Sequence, residues 1–243
     1  MSVRTLNGTR SVGYTSSMVA RTLFAIAVVV PALASSQGVR VLDKGTFTIT
    51  VNGTRAGRED FTISSTPGGS GAEYLSHARV SMGDRRLNPK LMTDSSGRPS
   101  RYEIDVRGTA GGERWMGSIV RGHVAAKMET STGVKEREYL AADGALLLDD
   151  EVYHQYYFVA QRASRGTIPV VIPRRNQQMV LRASTPEADK VTIGQVTLDA
   201  RHIVLTEPGG VTRDVWVDAT GRLLKVSIPS KGIVALRDDP PGS

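Results

Sequence analysis

The sequence predicts a mainly β protein: a single antiparallel curved sheet, a half-barrel, wrapped around one central helix at about residues 149–164. Three observations lead there. Apolar and polar residues alternate with a period of two through most of the chain, as half-buried strands require. Turn signals recur about every ten residues, the spacing of an antiparallel meander. One stretch, Ala145 to Gly166, instead carries apolar residues at helical spacing.

The chain opens on an export signal, residues 1–34. Arg21 precedes the apolar run Thr22 to Val30, and Pro31 then leads into an Ala32-Leu33-Ala34 cleavage box. The run is too short to cross a hydrocarbon core of about 30 Å, so no stable transmembrane segment is expected after cleavage. Met18 is an alternative start that leaves a compact basic n-region. The whole chain carries +7; the signal holds Arg4, Arg10 and Arg21 and no acid, so 28 basic against 24 acidic residues leave +4. Those charges alternate in sign and form no basic run, which argues against nucleic acid as a partner. With no cysteine in the chain, disulfides, thiolate metal sites, a cysteine nucleophile and a cysteine-linked lipid anchor are excluded. A periplasmic or secreted location follows.

A short leader, 35–40, precedes one β-rich domain over 41–237, and a disordered tail is expected at 238–243. Phe47, Ile49 and Val51 share one strand face, and Asn52-Gly53 predicts a type I′ hairpin turn. The return strand carries Glu59, Phe61 and Ile63. Strand signals continue through Glu73–Met82, Leu87–Thr93, Tyr102–Val106, Trp115–Val120, Val124–Thr130 and Val134–Ala141. The second half resumes at Ile168–Pro173, whose two prolines suit an edge strand or a connector. Gln178–Ala183, Val191–Leu198, His202–Thr206, the hairpin Val215–Pro229 and Ile233–Leu236 follow. Asp94 to Arg98 and Asp218 to Arg222 share the form Asp-x-x-Gly-Arg, which suits a type I turn closed by a left-handed glycine. The sheet face turned away from the helix is expected to be wet.

In the helix, Asp149 is placed as N-cap, with Asp150 and Glu151 in the first turn where the dipole favours negative charge. Arg162, Arg165 and Gly166 mark its end. Val152, Tyr156 and Val159 fall on one face, with Tyr153, Tyr157 and Ala160 beside them. So apolar a helix needs a sheet to cover it.

Three motifs carry a resemblance: Gly-x-Phe-x-Ile-x-x-Asn-Gly (Gly45 to Gly53), Leu-Asp-Asp-x-x-x-His-Gln-Tyr (Leu148 to Tyr156) and Val-Trp-Val-Asp-x-x-Gly-Arg-Leu-Leu-Lys-Val-x-x-Pro (Val215 to Pro229). Together they resemble exported bacterial β proteins grouped as domains of unknown function, whose architecture is similar to the lipoprotein-carrier half-barrel. The resemblance implies an open curved sheet closed by helix, with an apolar concave face. The single helix departs from the several helices of the carriers.

No histidine spacing makes a metal motif, no nucleophile elbow is present, and the glycine-rich stretches lack the lysine and following helix of a phosphate loop, so no metal or cofactor is expected. His154 and Asp150 stand four apart and are the weak catalytic candidates; their plainer reading is a helix-face pair. Glu59, Glu73, Arg107, Glu113 and Arg121 read as solvated strand faces. The aromatic cluster Tyr153, Tyr156, Tyr157 and Phe158, with Trp115 and Met116 on a strand, is the candidate ligand surface, and ordinary core is its plainer use. The functional expectation is a non-enzymatic protein that binds an apolar, lipid-like ligand or an envelope protein in its concave face. The alternatives are a structural envelope domain with a filled core and a hydrolase centred on His154.

Overall fold

The computed structural model describes residues 38–68 and 71–242. The export signal expected at residues 1–34 lies outside the described residues. The N-terminal half is a continuous meander of eight strands: β1 (Arg40–Val51), β2 (Thr54–Gly68), β3 (Gly71–Met82), β4 (Arg85–Asp94), β5 (Pro99–Gly108), β6 (Gly111–Val120), β7 (His123–Thr130) and β8 (Gly133–Leu140). The C-terminal half holds β9 (Leu146–Leu147), β10 (Thr167–Ile172), β11 (Gln177–Ala183), β12 (Glu187–Ile193), β13 (Val196–Thr206), β14 (Thr212–Val217), β15 (Leu223–Ile228) and β16 (Ile233–Arg237). Antiparallel pairing of β1 with β16 joins the halves into one large curved sheet that runs from β8 to β9 and does not close. All pairings are antiparallel except β9 with β10. As its prolines foreshadow, β10 lies one short strand from the sheet end.

Local chemistry fixes the register. Asn52 (φ 49°) and Gly53 (φ 79°) form a two-residue turn that pairs Val51 with Thr54. Phe47, Ile49, Phe61, Ile63, Leu87, Leu91, Tyr102 and Ile104 then all point into the concave core. At the junction of the halves, Arg237 Nη1 donates to Asp43 Oδ1 (2.9 Å) and to Leu223 O (2.9 Å), while Leu223 N–H donates to Asp43 Oδ2 (3.0 Å). A Cβ on Gly45 would collide with that guanidinium at 2.6 Å, which explains the glycine two residues before Phe47.

The outer face is solvated along β3 to β5, as expected, but not over the C-terminal half. There β12 pairs only with β13 and folds back, burying Val191 and Ile193 against Trp216 and Leu224 in a second small core. Trp216 and Leu224 alternate with Val215, Val217 and Leu223 of the main core, so one hairpin serves both.

The central helix is much shorter than 149–164. The α-helix, α1, spans Tyr156–Gln161, followed by a single 3₁₀ turn at Ala163–Arg165. Asp149 is not its N-cap; Gln155 holds that position, without a side-chain cap. Leu148 to Gln155 is coil because its polar side chains and backbone groups bind the surrounding walls rather than one another, and Glu151 adopts a left-handed φ of 63°. The segment still crosses the concave face as a plug. Val152, Tyr153, Tyr156, Tyr157, Phe158 and Val159 are all buried in the main core.

The two Asp-x-x-Gly-Arg turns grip this plug from opposite halves. In each, the aspartate accepts the N–H groups two and four residues on, and the arginine Nε donates back at 2.7 Å. Arg162 Nε donates to Ser96 O (2.7 Å) in the first turn, and Gln161 Nε2 donates to Gly221 O (3.3 Å) in the second. Gly221 has φ 88°, and a Cβ there would overlap Gln161 Nε2. Gly221→Ala is expected to cost about 1–3 kcal/mol in urea unfolding, through left-handed strain and a displaced plug.

Candidate functional site

The sheet fails to close between its two end strands, β8 and β9. Gln178 of β11 reaches across: its Nε2 donates to Leu140 O (2.6 Å), and Ala142 N–H donates to its Oε1 (3.1 Å). Inside this seam lies a cavity of about 330 Å³, walled by Trp115, Ile119, Val124, Tyr139, Leu147 and Val171. That volume is at the lower end of the range of about 300–1,000 Å³ that small-molecule sites occupy. Asp94, Arg98, Arg121 and Asp143 stand at its rim, two acids against two bases. The Tyr139 hydroxyl is buried without a hydrogen-bond partner among the described residues, an acceptor and donor left free beside an apolar wall. Burial pushes its phenol pKa up.

Of the sequence-predicted ligand surface, Trp115 lines this cavity, tilted against Tyr102 at a centroid distance of 5.5 Å. Met116 points to the opposite face of β6, into a shallow depression on the outer surface. Tyr157 and Phe158 are core, in edge contact with each other at 5.4 Å. Tyr153 and Tyr156 border a different, polar cavity at the other end of β4.

The expected Asp150–His154 pair does not form, because the intervening residues are not helical. Asp150 pairs with Arg175 (2.9 Å to Nη2). His154 is fully buried and faces the sheet: Nδ1 meets Glu59 Oε1 at 2.5 Å and Nε2 meets Ser76 Oγ at 3.3 Å. Glu59 also accepts the backbone N–H of Tyr153 (2.8 Å) and of His154 (3.3 Å). Ser76, His154 and Glu59 have the order of a hydrolytic relay, yet all three are 0% exposed and none lines either cavity. The arrangement anchors the plug and offers a substrate no approach.

A second anchor surrounds Asp149. Its carboxylate accepts from Tyr102 OH (2.8 Å) and Arg174 Nε (2.9 Å), while its N–H donates to Gln155 Oε1 (2.6 Å). Arg174 Nη1 reaches Glu113 (3.3 Å). Burial pushes the Asp149 carboxyl up, against the opposing pull of Arg174. A third anchor is Tyr156, whose hydroxyl accepts from Arg213 Nη1 at 2.5 Å.

Glu59 is therefore not a solvated strand position, whereas Glu113 stays partly exposed while it meets Arg174. The signal for Glu59 is present in the sequence: it stands two and four residues before Phe61 and Ile63, in phase with the inward series. Ser76, Tyr102 and Arg213 obey the same phase on their own strands. No local signal names their partners, which come from a segment remote in sequence.

Burial raises the phenols of Tyr102, Tyr153, Tyr156 and Tyr157, the last to about 12. In the unfolded chain these groups ionise near pH 10. Their contribution is thus intact below about pH 10 and is lost as pH rises toward the folded values. Unfolding free energy should fall above about pH 10, by about 1.4 kcal/mol per pH unit for each phenol still protonated in the fold. Urea titrations across that range check this, and Tyr157→Phe should flatten the slope.

No protein-family model, curated protein or solved structure matches this chain. Among the described residues, no helix is long and apolar enough to cross a membrane.

Proposed function

We propose that the protein is an exported, periplasmic, non-enzymatic binding protein that holds a small apolar or lipid-like ligand in the seam of its curved sheet. One observation carries the reading: at the seam the plug leaves an apolar cavity of about 330 Å³ beside the main core. Trp115 and Tyr139 supply the aromatic wall, and the free Tyr139 hydroxyl suits a ligand with one polar atom. The balanced rim favours a neutral or zwitterionic head over a strongly charged one. The export signal read in the sequence supports an envelope location, and the sequence resemblance to lipoprotein-carrier half-barrels is consistent with an apolar cargo. The cavity's size suits one small ligand rather than the acylated protein that a lipoprotein carrier shuttles.

Native mass spectrometry of gently purified protein tests this. A bound small molecule that organic extraction removes, followed by saturable uptake of a hydrophobic dye, is expected. Protein that carries nothing and leaves the dye in water would instead mark a structural envelope domain. Val124→Phe projects bulk into the cavity and should abolish dye uptake, at a stability cost within the usual overpacking range of about 1–3 kcal/mol.

A further inference from the structure

We infer that Tyr139 fixes which head group the seam cavity accepts, admitting an uncharged hydroxyl or carbonyl and turning a carboxylate away. The inference rests on the reading of that cavity as a ligand site.

A second, smaller cavity of about 100 Å³ adjoins the seam cavity, and Trp115, Tyr139 and Pro173 line both. These three side chains form the partition between the chambers. The chambers differ in chemistry. The larger is walled mainly by apolar groups, whereas Lys135, Arg137, Arg174 and Arg175 line the smaller one and no carboxylate does. Two of those cations are neutralised: Asp149 and Glu113 hold Arg174, and Asp150 holds Arg175. Lys135 and Arg137 have no ion pair among the described residues. The alternation of β8 explains this. Lys135, Arg137 and Tyr139 share one face of the strand, and Glu136 and Glu138 take the other. Both free cations are exposed, so the smaller chamber is open to water on their side.

Tyr139 stands between the two environments. Its ring packs on the main core, and it sits opposite Val124 of β7. Burial raises its phenol, and Arg137 pulls the other way, so that charge lies within electrostatic reach of the hydroxyl. A neutral head in the seam cavity exchanges a hydrogen bond with this hydroxyl, which both donates and accepts. A carboxylate there would meet one donor and lose its hydration, a far larger cost than a neutral group bears. The ring keeps it from Lys135 and Arg137, the charges that would compensate it.

The test compares 1-decanol with decanoate at about pH 8, where the acid is ionised. Affinities are read from Trp115 emission in a Trp216→Phe background. The native cavity should bind decanol at least about tenfold more tightly than decanoate. Tyr139→Phe keeps the ring and loses the hydroxyl, so decanol should weaken about fivefold while decanoate is still refused. Tyr139→Ala joins the chambers and should shrink the preference for decanol at least about tenfold; Tyr139→Val makes the same test with less loss from the core. Arg137→Ala should leave the native preference unchanged but restore it in the Tyr139→Ala chain, a coupling that exists only with the ring removed. If the native chain binds neither probe, the seam site falls and this inference with it. Decanol binding with an equal affinity for decanoate, a preference that survives loss of the ring, or an equal effect of Arg137→Ala with and without the ring would overturn the role of Tyr139 alone.

Discussion

Glu59→Ala is expected to destabilise the protein by about 3–5 kcal/mol, the largest effect of any single substitution on the sheet. Glu59 is wholly buried and receives three hydrogen bonds from the plug: two backbone N–H groups and the His154 ring. Alanine removes every acceptor at once and leaves those donors in an apolar interior, where each unmet group costs about 1–3 kcal/mol. The ring of His154 also lies parallel to Phe61 at 5.9 Å, and Phe61 is stacked on Phe47 at 5.0 Å, so the loss reaches the centre of the main core. Glu59→Gln keeps one acceptor oxygen and should lose less. Urea unfolding followed by near-ultraviolet circular dichroism measures both. Equal small losses would mean that the plug does not depend on this anchor.

Tyr156→Asp is the second large effect, several kcal/mol and enough to leave little folded protein at 37 °C. Tyr156 is 2% exposed, its ring packs in the core, and its hydroxyl accepts from the buried Arg213. Aspartate deletes the ring, opens a cavity and places a carboxylate too short to reach where the hydroxyl stood. Tyr156→Phe isolates the hydroxyl and should cost about 1–3 kcal/mol, since Arg213 keeps its contact with Glu207. A Tyr156→Asp loss within about 0.5 kcal/mol would show that face to be on the surface.

Both predictions turn on where sequence and structure part. The strands are legible because alternation, Asn-Gly and Asp-x-x-Gly-Arg are local signals, and each forms the turn or face it implies. The plug is legible as a buried apolar segment, since its aromatic density has no other home in a chain with few aromatics. Its conformation is not. Asp149, Asp150 and Glu151 look like a helix start, but each finds a buried or cationic partner on the walls, and those tertiary bonds outweigh a cap worth about 1 kcal/mol. The partners, Tyr102, Arg175, Arg174 and Arg85, are distant in sequence, so helical spacing could not reveal them. Trp115 was readable as a candidate because it shares the inward face with Gly117 and Ile119; Met116 was separable by the same alternation. The seam cavity itself is a property of sheet closure, set by how the end strands β8 and β9 approach each other, and no residue pattern encodes it.

The binding account is tested most directly by the fluorescence of Trp115. The chain has two tryptophans, one on the wall of the seam cavity and one on the outer face, so Trp216→Phe leaves Trp115 as the sole reporter. Titrating this variant with a single-chain fatty alcohol should produce a saturable change in Trp115 emission with a stoichiometry of one, absent when Val124→Phe is added. Emission that stays constant, or that changes equally with the cavity filled, would contradict a ligand site at the seam.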